Sequence, residues 1–318
     1  MEKILIIGAC GQIGVELTLA LREAYGINNV IATDIRPAPE LLQDGPFMSL
    51  NAMDEQALDM LVKREHITQV YLLAAVLSAT GEQNPMRAWD INMKSLLQLL
   101  EIGRQNGLKK IYWPSSIAVF GPTTPRVNTP QQTIIEPRTV YGISKYTGEL
   151  WCQYYHQRYG LDVRSLRYPG LISWKSEPGG GTTDYAVDIY HEALKAGTYT
   201  SFLSENTYLP MMYMPDAIRA TIELMEAPAE KLSTRMSYNV SAMSFSPKEI
   251  AAAIRQQLPD FSIDYAPDHR QQIADGWPKS IDDSLARQDW GWKPAYDMAA
   301  MTQDMLANLK PRYEREKA

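Results

Sequence analysis

The sequence predicts an α/β fold in which a doubly wound parallel sheet carries a smaller mixed α/β lobe. Three observations lead there. The first 34 residues read as strand, glycine-rich turn, helix, strand and acid. Apolar runs then alternate with helix-period segments as far as Arg167, the pattern of a parallel sheet covered on both faces. Beyond Arg167 the alternation breaks into turn-rich pieces such as Pro178-Gly179-Gly180-Gly181 and residues 206–215. The expected division is residues 1–170 for the larger domain and 171–318 mostly for the lobe, with some segments returning to the main sheet.

The opening stretch carries the first functional signal. Ile4-Leu5-Ile6-Ile7 is a buried-strand run, followed by Gly8-Ala9-Cys10-Gly11-Gln12-Ile13-Gly14 and a helix marked by Leu17, Leu19, Leu21 and Ala24. A second strand, Val30-Ile31-Ala32, ends on Asp34. Glycines let the backbone turn tightly and approach a pyrophosphate, which sits at the positive end of a helix. Asp34 follows by about the 20 residues at which an acid meets the adenosine ribose. The spacing is G-x-x-G-x-x-G, not the commoner G-x-G-x-x-G. An ordinary strand-to-helix turn is the alternative, and the surrounding strand, helix and acid favour a dinucleotide site.

The remaining elements follow in order. Phe47–Leu50 is a short strand, a helix lies near Glu55–Arg64, and Val70–Leu73 is the next strand, running into Ala74-Ala75. A long helix covers about Pro85–Asn106 and stops at Gly107. Ile111-Tyr112-Trp113 is a strand ending at Pro114-Ser115-Ser116, Tyr141–Tyr159 is a helix, and Asp162–Leu166 is another strand. Ser246-Pro247-Lys248-Glu249 is a helix start with N-cap serine, proline at the first helical position and a capping-box glutamate. That helix runs through Leu258 and is structural.

Composition narrows the class. An apolar content of 45% supports a substantial core, and a net charge of −6 without a basic block argues against nucleic acid as partner. Cys10 and Cys152 are the two cysteines and form no disulfide framework; Cys10 needs no redox role in its turn. No charged-then-apolar leader precedes Ile4, so no signal or transit peptide is expected and the expected location is the cytoplasm. No run approaches the roughly 18 apolar residues of a membrane span. The four histidines, His66, His156, His191 and His269, are scattered and neither cysteine has a ligand-spaced partner, so no metal is expected.

Tyr141-Gly142-Ile143-Ser144-Lys145 is the sharpest local signal. Tyr141 and Lys145 are four apart and share one helix face. A phenol ordinarily ionises near pH 10 and is a poor base at neutrality. A nearby ammonium and a positive nicotinamide favour the phenolate, so Tyr141 can accept a proton from an alcohol while hydride leaves the carbon. Lys145 would also hold the nicotinamide ribose. Ser116, at a strand's C-terminal end, can orient the substrate oxygen. A solvated helix face and a turn serine are the plain alternatives; the dinucleotide turn upstream weighs against them.

With these residues in place, the chain resembles the extended short-chain dehydrogenase/reductases, the group that includes nucleotide-sugar epimerases. Gly8/Gly11/Gly14, Asp34, Leu73-Ala74-Ala75, Asn92, Ser116, Tyr141/Lys145 and Arg167-Tyr168-Pro169 fall where that family has its motifs, and so does the stretch from Ser280-Ile281-Asp282 to Trp290-Gly291-Trp292-Lys293-Pro294. The resemblance implies a Rossmann-type sheet binding NAD, with Tyr141 as base, Lys145 as its partner and Ser116 as orienter. It implies cofactor contacts from Gly8, Gly11, Gln12, Ile13, Gly14, Asp34, Ile35, Arg36, Asn51, Leu73, Ala74, Ala75, Asn92, Ser115, Tyr141, Lys145, Tyr168 and Pro169. Asn92 would anchor the site through backbone or water contacts. It also implies a homodimer built on the two long helices, where Leu96, Leu97, Leu99, Leu100 and Trp151 serve either the core or the interface.

Departures from the family point to the substrate. Sugar-nucleotide members carry a diphosphate-binding arginine about where Leu209 stands, and a pyrophosphate without a cationic clamp is poorly held. The segment Pro178–Ala186 is the candidate substrate loop. Its glycines bring N–H groups close and its threonines can hold a carboxylate; alternatively, the glycines are a linker and Thr183-Asp184 caps the next helix. This loop, with residues 114–121 and 167–173, resembles the short-chain-type L-threonine 3-dehydrogenases. By that resemblance the small-molecule substrate is L-threonine, oxidised at C3 to 2-amino-3-oxobutyrate. Ser78, Ser116, Tyr141, Gly180, Thr182 and Thr183 would surround it, and Trp277 would wall the pocket or simply pack. A nucleotide-sugar epimerase or reductase and a non-catalytic NAD-sensing regulator are the competing readings.

Overall fold

The computed structural model describes residues 2–175 and 181–317. The first half of the chain gives β1 (Ile4–Ile7), α1 (Gln12–Tyr25), β2 (Val30–Asp34), β3 (Phe47–Ser49), α2 (Glu55–Arg64) and β4 (Gln69–Leu72). Next come α3 (Ser78–Gln83), α4 (Pro85–Asn106), β5 (Lys110–Tyr112), β6 (Ser115–Ser116), α5 (Val140–Tyr159), β7 (Val163–Arg164), β8 (Leu166–Tyr168) and β9 (Gly170–Ile172). A six-stranded parallel sheet has the order β3-β2-β1-β4-β5-β7. Its order reverses between β1 and β4, and ligands of such sheets bind in the crevice beyond the strands' carboxyl ends at that point.

Both faces of the sheet are covered, and β1 shows why. Its successive side chains point to opposite faces. Ile4 and Ile6 join a core with Leu17 and Leu21 of α1. Leu5 and Ile7 join another with Leu58 and Leu61 of α2 and Leu96, Leu99 and Leu100 of α4. Those three leucines of α4 are therefore core residues and not interface residues, while Trp151 of α5 is exposed.

The second half contributes α6 (Tyr185–Lys195), β10 (Thr198–Ser201), β11 (Leu209–Tyr213), α7 (Met214–Glu226), β12 (Tyr238–Asn239), β13 (Met243–Phe245), α8 (Pro247–Arg255) and β14 (Ser262–Tyr265). Met214, Ala217 and Leu224 of α7 pack on the α1 side of the main sheet. The capping box at Ser246 and Glu249 forms both of its bonds, and the regular part of α8 ends at Arg255, short of Leu258. No helix of the described residues is long and apolar enough to cross a membrane.

Two segments differ from the sequence expectation. Residues 206–215 are not a run of turns: Leu209–Tyr213 is a fully buried strand between β9 and β13. The prolines there suggest a loop, yet Pro210 is paired with Ser244 of β13 alone, and pairing with β9 starts one residue later, at Met211. Residues 162–166 are not one strand either. The chain leaves the main sheet at Ser165, whose carbonyl accepts the Tyr238 N–H at 3.0 Å, and β8 pairs in parallel with β6 and β12.

Helix α5 is set unusually close to the sheet. A Cβ added to Gly148 would fall 2.2 Å from Cη2 of the buried Trp113, so the helix backbone rests on the indole. Gly148→Val should therefore destabilise the fold by about 1–3 kcal/mol through overpacking, read as a lower urea midpoint; an unchanged midpoint would show that the helix can retreat freely.

Candidate active site

The crevice at the switch point is lined first by the glycine turn. Gly8 has φ 91°, and a Cβ on it would meet the Ala74 nitrogen at 2.6 Å. A Cβ on Gly14 would meet the Gly8 carbonyl oxygen at 2.4 Å. These two glycines bring β1, the loop after β4 and α1 together, while at Gly11 the nearest atom would lie 3.5 Å away. Gly11 is the N-cap of α1 and supplies no side-chain cap, which leaves the helix's first N–H groups without that partner. The buried Gln12 Nε2 also lacks a partner among the described residues. A helix start with uncapped donors and an orphaned amide suits an anionic pyrophosphate.

Asp34 closes β2 beside this turn and is 5% exposed. It accepts the Cys10 N–H at 2.9 Å and the Arg36 N–H at 3.0 Å, and pairs with the Arg36 side chain at 3.2 Å. Burial raises its pKa, but the Arg36 guanidinium and the two N–H groups outweigh that and hold it below the usual carboxylate value. The result is a carboxylate at the crevice, as a ribose contact requires. Ile35 and Asn51 are exposed nearby, and Asn51 Oδ1 accepts the Met53 N–H. Leu73 and Ala74 are fixed by their N–H groups on the Ile7 carbonyl.

The proposed catalytic residues meet where α5 starts. Thr139 caps the helix by accepting the Gly142 N–H at 3.0 Å, and Glu82 of α3 accepts the Val140 N–H at 2.8 Å. This second bond ties α3, which begins with the buried Ser78, to the turn bearing Tyr141. Ser116, whose hydroxyl accepts the Ala118 N–H at 3.2 Å, lies beside the Tyr141 hydroxyl. Burial of that hydroxyl pushes its pKa up to about 12, with Ser116 drawing it down. Lys145 is 3% exposed. Its Nζ donates to the Pro114 carbonyl at 2.6 Å and lies 4.4 Å from the Trp113 ring centre and 5.5 Å from that of Tyr141. Burial pulls its pKa down to about 7, with Cys152 and Glu149 opposing.

Three of the expected residues have side chains engaged by protein groups. The Ser115 hydroxyl does not face the crevice: it donates to Glu149 Oε1 at 2.6 Å and is buried under α5, because neighbouring strand residues point to opposite sides. The Tyr168 hydroxyl lies in a buried chain with Tyr112 and Thr221. Asn92 serves protein groups: its Oδ1 accepts the Val76 N–H at 2.8 Å, and its Nδ2 donates to the Val76 carbonyl and to Ser144 Oγ. It anchors the loop leading to Ser78. Glu149 and Arg167, buried beside Ser115, were not singled out as site residues from the sequence; the i+4 spacing of Glu149 from Lys145 was the available signal.

Of the candidate substrate residues, Gly180 lies outside the described residues. Thr182 is 1% exposed and its Oγ1 has no partner among the described residues. Asp184 is the N-cap residue of α6 and its side chain accepts the Gly181 N–H at 2.7 Å. Thr183 leads into α6, whose Tyr185 and Ala186 share a core cluster with residues 117–120, and the Tyr141 ring packs against that cluster. Trp277 is buried in the same cluster.

A parallel sheet with this crevice, a glycine turn, an acid and a Tyr/Lys/Ser group defines a nucleotide-dependent enzyme class, and comparison identifies it. Residues 4–241 match the NAD dependent epimerase/dehydratase family, and the chain belongs to that family. It is 63% identical to the GalE-like L-threonine dehydrogenase of Cupriavidus necator in its holo form, covering 97% of this chain and all of that one at a TM-score of 0.95. A monomeric L-threonine 3-dehydrogenase from a metagenome, in its apo form, is 47% identical over 98% of this chain and 99% of that one, with a TM-score of 0.94. An uncharacterized epimerase/dehydratase of Staphylococcus saprophyticus is 51% identical over 99% of each chain.

NAD is the cofactor of this family. Because the Asp34 carboxylate repels a 2′-phosphate, kcat/KM with NAD should exceed that with NADP by about tenfold or more, and Asp34→Ser should narrow the ratio. Equal values in the parent protein would show that Asp34 does not face the ribose.

Proposed function

We propose that this protein oxidises the C3 hydroxyl of L-threonine with NAD, giving 2-amino-3-oxobutyrate, and works in the cytoplasm. The observation that carries this reading is the meeting of Ser116, Tyr141 and Lys145 at the start of α5, joined to the L-threonine dehydrogenase relatives of similar sequence. Ser116 orients the alcohol oxygen and Tyr141 accepts its proton. Lys145 favours the phenolate and holds the nicotinamide ribose. NAD, held there, would supply the hydride acceptor for C3 and a positive charge beside the phenol. The glycine turn and Asp34 hold the dinucleotide. Ser78, Thr182 and Thr183 hold the amino acid, and the Thr182 hydroxyl, which has no partner among the described residues, donates to its carboxylate. Trp277 backs this region.

The epimerase reading is disfavoured by one position. Leu209, where a diphosphate-binding arginine would be expected, is a fully buried strand residue paired with Phe245. The direct test is NADH absorbance with a panel of amino acids and nucleotide sugars. L-threonine should be the substrate turned over; turnover of a nucleotide sugar in its place would overturn the reading. Tyr141→Phe should keep NAD binding and lose kcat by about 10²–10⁴-fold, as loss of a general base does. Activity of the parent should rise with pH, since the base is the deprotonated form and burial pushes Tyr141 upward. Near-parental turnover in Tyr141→Phe would place the proton acceptor elsewhere.

We further propose a homodimer through α5. Ile143, Leu150, Trp151 and Tyr154 are exposed and fall at helical spacing on one stripe, a face that a second copy can cover. Light scattering should give a dimer mass, and Trp151→Glu should shift it toward the monomer. A monomer mass independent of concentration in the parent would contradict the assignment.

A further inference from the structure

The deepest charged group beside the site is unused by the mechanism above. Glu149 is 0% exposed and Arg167 is 2% exposed. Arg167 grips the carboxylate with both arms, Nε to Oε1 at 2.9 Å and Nη2 to Oε2 at 2.7 Å. Ser115 donates to the same Oε1 at 2.6 Å. The remaining Arg167 nitrogen, Nη1, donates to the Gln131 carbonyl and Asn239 Oδ1. Replacing a buried ion pair by apolar residues is often neutral or stabilising, so stability alone is weak grounds for this arrangement.

Its placement suggests another use. Tyr141, Lys145 and Glu149 stand at i, i+4 and i+8 on one face of α5. They face three consecutive residues of one strand segment: Lys145 bonds the Pro114 carbonyl, Glu149 bonds Ser115, and Tyr141 lies beside Ser116. Ser115 is also the register partner of Arg167 across β6 and β8. The charged and titratable groups around Lys145, among the described residues, are Tyr141, Glu149 and Cys152 on its own helix, with Arg167 behind Glu149. The strand side presents the Trp113 ring and the Pro114 carbonyl, and α4 presents Asn92 through Ser144. Burial pushes the Cys152 thiol well up; the carboxylate one turn along the same helix face from Lys145 is Glu149, gripped by Arg167.

We propose that Glu149 is a positioning residue for proton transfer: held by Arg167, its carboxylate fixes α5 against the strand of Ser116 and stands as the counter-charge to Lys145. This rests on the reading of Tyr141 as base. Removing the carboxylate makes the Lys145 ammonium less favourable, weakens its pull on the Tyr141 phenol and moves the basic requirement to higher pH.

The test compares the parent with Glu149→Gln, Glu149→Met/Arg167→Leu and Tyr141→Phe in their NAD-bound form. The double variant removes both members of the Glu149–Arg167 pair together, and Glu149→Gln serves if it fails to fold; circular dichroism and NAD titration establish folding. The rising limb of kcat against pH should shift upward by about one unit, with kcat near neutrality down by about tenfold and KM changed less. A folded, NAD-binding Glu149 variant with the parental limb would overturn the proposal while Tyr141→Phe stays inactive. Turnover retained by Tyr141→Phe would overturn the underlying reading as well.

Discussion

The contact between helix α5 and residues 114–116 is the constraint on which the rest of the site depends. Two short stretches distant in sequence meet there through three side chains of one helix face. The approach is close because Gly148 puts no side chain between the helix and Trp113. The start of the helix is fixed independently by Thr139 and by Glu82 of α3. Tyr141, in the first turn, is thus held from both ends, and Ser116 cannot move relative to it without breaking bonds at Pro114 and Ser115.

Electrostatics works against the chemistry until more charge is supplied. Burial favours the neutral forms of both partners, raising Tyr141 to about 12 and lowering Lys145 to about 7. A lysine near 7 is poised, so small changes in its surroundings change its charge at neutral pH. This gives Glu149 leverage that it would not have over an exposed lysine, whose charge solvent screens.

What the sequence made legible was local. The glycine turn, the four-residue spacing of Tyr141 and Lys145, and the capping box at Ser246 depend on neighbours within one or two turns, and all took the expected form. The alternation of strands and helices sufficed for the parallel sheet. What was hidden depends on partners far along the chain. Ser115 is oriented by Glu149 and Arg167, and the Tyr168 hydroxyl by Tyr112 and Thr221. The strand Leu209–Tyr213 exists because β9 and β13 flank it, although its prolines argue locally for turns. Which groups the Asn92 amide holds, Val76 and Ser144, is likewise set by the fold.

The central claim is hydride transfer from one particular carbon of one particular amino acid. The most direct measurement uses L-threonine deuterated at C3 with unlabelled NAD, followed by mass spectrometry of the reduced cofactor. The account predicts one deuterium in NADH and a slower initial rate if hydride transfer limits turnover. Unlabelled NADH formed from that substrate would contradict it.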